Sequence, residues 1–161
     1  MIKNKKKGKL MENAIKSIIK FAIDRENEAV FFYEALMERT DFKNQVKFLN
    51  ELRDMELSHI KILQKIQRDI LLNPSVPMEL KQKSFFTNYI VEQTPEKKLE
   101  YQDILILGMK KEEKSYDFYI RLSKEFEIEE IQNVFIRLAN EEMKHREFFN
   151  QLYNQDILKD N

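Results

Sequence analysis

The chain has 161 residues, enough for one domain with a single buried core. With 42% hydrophobic and 35% charged residues but only two glycines and three prolines, it must be mostly helical. Acidic and basic residues balance at 28 each, so no global field recruits nucleic acid or a membrane, and the absence of cysteine excludes disulfides and thiolate-bound zinc or iron–sulfur clusters.

The chain begins with five lysines between Lys3 and Lys9. Residues 1–11 are expected to be a solvated basic tail, and residues 12–155 the folded domain. No apolar stretch of signal-peptide type follows the lysines, and no apolar run approaches a bilayer span, so a cytoplasmic protein is expected.

Helical periodicity predicts a first helix from about residue 12 to 40, with Ile15, Ile19, Ala22, Glu26, Ala29, Tyr33 and Leu36 or Met37 on one stripe. Thr40-Asp41 interrupts it, and Asp41 is expected to cap a second helix over 42–72. That helix aligns Phe48 or Leu49 with Leu52, Glu56, His59, Ile60, Leu63 and Ile66 or Gln67, and Asn73-Pro74 ends it. The stretch from Asn73 to about Tyr101 carries all three prolines and reads as a connection, with room for a short helix between Met78 and Tyr89.

A third helix over 103–124 places Leu105, Met109, Glu112, Ser115 or Tyr116, Tyr119 and Leu122 inward. A fourth over 129–153 does the same for Val134 or Phe135, Leu138, Glu142, His145, Phe148 or Phe149 and Leu152. Short links within each pair and a long one between them predict two antiparallel hairpins joined by a crossover. That is an all-α, ferritin-like four-helix bundle.

The two pairs repeat. Glu26, Tyr33, Glu56 and His59 recur 86 residues later as Glu112, Tyr119, Glu142 and His145. Residues three apart on a helix share a face, so each Glu-x-x-His aims a carboxylate and an imidazole at one place. The lone glutamates Glu26 and Glu112 lie on apolar stripes and point inward with them. Four buried carboxylates are tolerable only if neutralised, and two divalent cations supply the four positive charges. A shell rich in carboxylates with one imidazole per metal suits iron or manganese better than calcium or structural zinc. Glu26, Glu56, His59, Glu112, Glu142 and His145 are therefore the expected ligands, matching the general pattern of ferritin-like carboxylate proteins. Tyr33 and Tyr119, on the same stripes, could bond a ligand carboxylate, donate an electron or simply pack. Glu28 and Glu113 are expected at the surface, and so is Glu141, the alternative for Glu141 being to accept a hydrogen bond from a histidine and orient it.

With its Tyr101-to-Glu112 segment and Phe118-Tyr119 pair, the chain resembles the ferritin-like domain of the rubrerythrin family from about Ile15 to Tyr153. The resemblance implies two iron ions per chain, with manganese or a mixed pair as variants. Glu26 and Glu112 would be terminal ligands, Glu56 and Glu142 bridges, and each histidine would complete one metal's shell. It also implies an oxidoreductase acting on hydrogen peroxide or dioxygen. Helical bundles with exposed apolar positions at their edges often dimerise, so a homodimer is expected. The alternative function is iron binding and oxidation for storage or delivery.

Two departures matter. Without cysteine there is no rubredoxin domain, so electrons must come from a separate donor protein. Ser115 also stands where rubrerythrins carry an additional glutamate, which leaves a six-ligand set closer to that of bacterioferritin. Only residues 154–161 follow the fourth helix, too few for a fifth, so cage assembly is not expected.

Overall fold

The computed structural model describes the backbone of residues 2–72, 89 and 99–159, with side chains over 13–69, 89 and 99–159. Four helices account for almost all of it: α1 (Ile2–Met37), α2 (Val46–Leu72), α3 (Tyr101–Ser123) and α4 (Glu129–Asp156). Among the described residues there is no strand. The chain is all-α, as its composition dictates.

The chain divides into two compact units, Met1–Gln82 and Lys83–Asn161. In the first, α1 packs on α2; in the second, α3 packs on α4. Each unit is an antiparallel hairpin, because its link is too short for the chain to return any other way.

In the first hairpin the buried stripe comprises Ile15, Ile19, Ala22, Tyr33 and Leu36 from α1, with Leu49, Leu52 and Leu63 from α2. Two alternatives left open by periodicity are settled here. Leu36 is buried rather than Met37, and Leu49 rather than Phe48, which is 44% exposed. Ala29 is only half-buried, its place taken by Val30. On the solvent face Lys20 pairs with Asp24 at 2.7 Å, an i,i+4 contact that supports the helix weakly.

Two expectations at the ends of these helices are corrected. α1 begins at Ile2, not near residue 12, so the backbone of the lysine-rich segment continues the helix. Lysine is a good helix former, and extending an established helix avoids the cost of nucleation. At the other end α1 stops at Met37, and Asp41 does not cap α2. A 3₁₀ turn spans Thr40–Phe42, the Asp41 carboxylate accepts from Arg39, and α2 starts at Val46. The turn folds Phe42 inward until no part of it is exposed.

In the second hairpin the helix limits follow the expectation more closely, but Met109, Ser115 and Tyr116 are only half-buried, and Ile104 and Gly108 are buried on α3 instead. Leu105, Tyr119 and Leu122 of α3 and Phe135, Leu138, Phe149 and Leu152 of α4 are buried. Neither helix has a side-chain cap at its N-terminus. Asp103 in the first turn of α3, and Glu129 and Glu130 in that of α4, face the helix dipole with favourable charge instead. Between the helices Phe126 is buried, and the Gln132 side-chain amide donates to its carbonyl. A row of rings, Phe126, Phe135 and Tyr119, stacks through the interior at centroid separations of 5.3 and 6.1 Å. The expected connection and its candidate short helix lie outside the described residues, apart from Tyr89. The Tyr89 ring meets Phe118 edge-on at 5.4 Å.

Candidate metal centre

Each hairpin carries the same three polar side chains in its core. In the first, Glu26 comes from the middle of α1, and Glu56 and His59 from consecutive turns of α2. All three are at most 3% exposed. Nδ1 of His59 lies 3.0 Å from Glu56 Oε2 and 3.6 Å from Glu26 Oε2. In the second hairpin Glu112 of α3 meets Glu142 and His145 of α4, all at most 2% exposed. Nδ1 of His145 lies 3.3 Å from Glu142 Oε2 and 3.9 Å from Glu112 Oε2.

The geometry of the two trios is therefore the same to within a few tenths of an ångström. In each, one imidazole nitrogen faces the oxygens of both carboxylates, and the potential ligand atoms lie within 4.8 Å of one another. This follows from the sequence register. Glu56 and His59 are three apart, as are Glu142 and His145, so each pair rises on one helical face. The lone glutamate opposite belongs to the apolar stripe of the partner helix.

The chemistry of the donor set fits a hard or borderline divalent cation. Carboxylate oxygens and an imidazole nitrogen converge, no sulfur is present, and apolar side chains surround them. Next to Glu26 in each direction lie Ala22 and Val30, one turn away and buried. Ile60, beside His59, is buried as well, so little water reaches the first trio.

The neighbouring charged residues lie outside these clusters. Arg25 pairs with Glu28, and Arg146 approaches the exposed Glu113 at 3.9 Å. Glu141 is half-buried. Tyr33 and Tyr119 are both buried, and the Tyr119 ring lies nearly parallel to Phe135, so packing is one of its roles. Ser115 is half-buried on α3, one turn beyond Glu112. Sequence reasoning passed over Gly108, which lies one turn before Glu112. Its signal is its placement: a helix former would be expected mid-helix, yet a glycine stands there.

Among the described residues, no helix is long and apolar enough to cross a membrane. No curated protein and no solved structure matches the chain significantly. The family model for rubrerythrin does match, over residues 17–153, a span that takes in all six acidic and histidine side chains of the two clusters. The chain belongs to the rubrerythrin family.

Proposed function

We propose that Glu26, Glu56, His59, Glu112, Glu142 and His145 together hold two iron ions per chain, and that the protein is an oxidoreductase reducing hydrogen peroxide or dioxygen. The observation that carries this reading is the recurrence of one buried Glu, Glu, His trio in both hairpins, at matched distances. A single buried pair of this kind could be a structural contact. Two copies related by a constant offset of 86 residues point to a shared task.

By the family resemblance, Glu26 and Glu112 would be terminal ligands, Glu56 and Glu142 would be shared between the metals, and His59 and His145 would each complete one metal's shell. Bound there, two ferrous ions supply the two electrons needed to reduce peroxide to water. The chain itself provides the negative charge that offsets the cations, the fixed direction of each imidazole and an apolar surround that excludes water. With no cysteine in the chain, electrons return from a separate donor protein. The proposed setting is cytoplasmic and the proposed assembly a homodimer, with residues 12–155 as the bundle.

Stopped-flow oxidation of the ferrous-loaded protein by hydrogen peroxide tests this. Glu56→Ala and His145→Ala should each slow it by roughly a hundredfold or more, the range expected when catalytic positioning is lost. Rates equal to the wild type would contradict the assignment.

One observation favours a second reading. Ser115 occupies the position of the glutamate that accompanies peroxide chemistry in the family. On that ground the alternative is iron oxidation for storage or delivery. Native mass measurement separates the two. A dimer with about two metals per chain favours the enzyme, and a large hollow oligomer filled with iron favours storage.

A further inference from the structure

The 86-residue repeat extends past the six polar residues into the layer one turn below them, and there the two halves differ. Ala22 and Leu63 of the first hairpin correspond to Gly108 and Phe149 of the second. In chain terms, Gly108 precedes Glu112 by one turn and Phe149 follows His145 by one turn. The small and large members have each changed size, in opposite directions.

The structure gives the reason. Phe149 is fully buried and its ring lies flat against the backbone of α3 at Gly108. A β-carbon added to Gly108 would lie 2.7 Å from Cγ and Cδ1 of that ring and 2.8 Å from Cδ2. Real β-carbons do not approach that closely, and the atoms met are the rigid inner edge of the ring. Either the ring leaves its place or α3 and α4 separate.

We infer that Gly108 and Phe149 act as a positioning pair for the second metal-binding trio: the ring set flush on the glycine fixes the spacing of α3 and α4 where Glu112 meets Glu142 and His145. At the corresponding positions the first hairpin carries Ala22 and Leu63, both buried. The two pairs are alternative solutions to one packing requirement, and they are not interchangeable one residue at a time. This inference rests on the proposal that the trios bind metal.

The distances at stake are small. Moving an imidazole by about 1 Å is enough to spoil coordination, because metal–nitrogen distances are held within a few tenths of an ångström. Gly108→Ala is otherwise a change toward a better helix former, so an effect on metal binding would come from the ring and not from loss of helix.

The test is a cobalt(II) titration, followed by calorimetry and by the visible absorption of the bound ion. It compares the wild type, Gly108→Ala, and the double variant Gly108→Ala/Phe149→Leu, which rebuilds the first hairpin's pair in the second. The wild type should take up two cobalt ions per chain. In Gly108→Ala the equivalent completed by Glu112 and His145 should weaken by roughly tenfold to a hundredfold, the usual effect of disturbing a ligand's support, and the other, which shares only the bridging carboxylates, should weaken by clearly less. The double variant should recover both equivalents.

A purely structural role would lower the melting temperature without separating the two equivalents. Two unchanged equivalents in Gly108→Ala would overturn the inference while leaving the two-metal reading intact. So would a double variant that folds, by its helical circular dichroism, but stays as weak as the single one. Fewer than two ions in the wild type would overturn the two-metal reading and the inference with it. Should Gly108→Ala not fold, recovery of folding and of both cobalt equivalents in the double variant supports the pairing, and failure of either contradicts it.

Discussion

Glu56 and Glu142 are carboxylates with at most 1% exposure, each facing a histidine on its own helix and a second glutamate on the neighbouring one. Such a group is costly to bury for folding alone, since two like charges share a small apolar space. Folding and metal binding therefore make opposite demands on it. Glu56→Gln should raise the melting temperature of the metal-free protein, by the equivalent of about 1–3 kcal/mol, while lowering metal affinity at least tenfold. Calorimetric melting with and without ferrous ion checks both signs; a glutamine variant that is less stable without metal would mean the carboxylate is structural. As a contrast, Glu113→Gln, on the exposed face of α3, should change neither quantity measurably.

The six side chains of the two buried clusters were legible in the sequence because chemistry and periodicity coincided at them. A carboxylate on an apolar stripe is conspicuous, and the repeat doubled the signal. Gly108 and Phe149 were not legible in that way. Their relation depends on how far α3 stands from α4, a distance that no single helix encodes.

At the scale of elements, the interhelical turn of the first hairpin is held by packing and only lightly by charge. Phe42 is fully buried there, whereas the Arg39–Asp41 pair is partly exposed to solvent. Phe42→Ala should destabilise the fold by about 3–5 kcal/mol. Asp41→Ala should cost less than about 1 kcal/mol, the range of partly exposed ion pairs. Urea denaturation followed by circular dichroism separates the two, and comparable losses would show that the turn is organised by its charges.

The same turn marks the limit of periodicity as a guide. The inward stripes of α3 and α4 and their ends were read to within two or three residues, since apolar spacing and the acidic first turns agree there. The start of α2 was misread because Asp41, following the interruption at Thr40, looks like a cap. In the structure Asp41 accepts from Arg39 and a 3₁₀ turn buries Phe42 ahead of the helix. The N-terminal limit of α1 was missed for a different reason. The lysine-rich segment lacks an apolar stripe, and backbone helicity there comes from propensity and continuity with the helix that follows.

For the whole molecule, metal held as proposed contributes to stability as well as to function. A ligand that binds only the folded chain stabilises it by about 2.7 kcal/mol when present at a hundred times its dissociation constant. Chelation of the loaded protein should accordingly lower the melting temperature by several degrees for a chain of this size. Reloading should restore it, and a melting temperature indifferent to chelator would show that the two trios are relics.

The most direct measurement is the metal content of the chain itself. Protein loaded anaerobically with ferrous ion, desalted and subjected to elemental analysis should retain about two irons per chain, with His59→Ala and His145→Ala each retaining one or fewer. A wild type that keeps no metal, or histidine variants that still hold two, would contradict the central claim that these six side chains form a two-metal site.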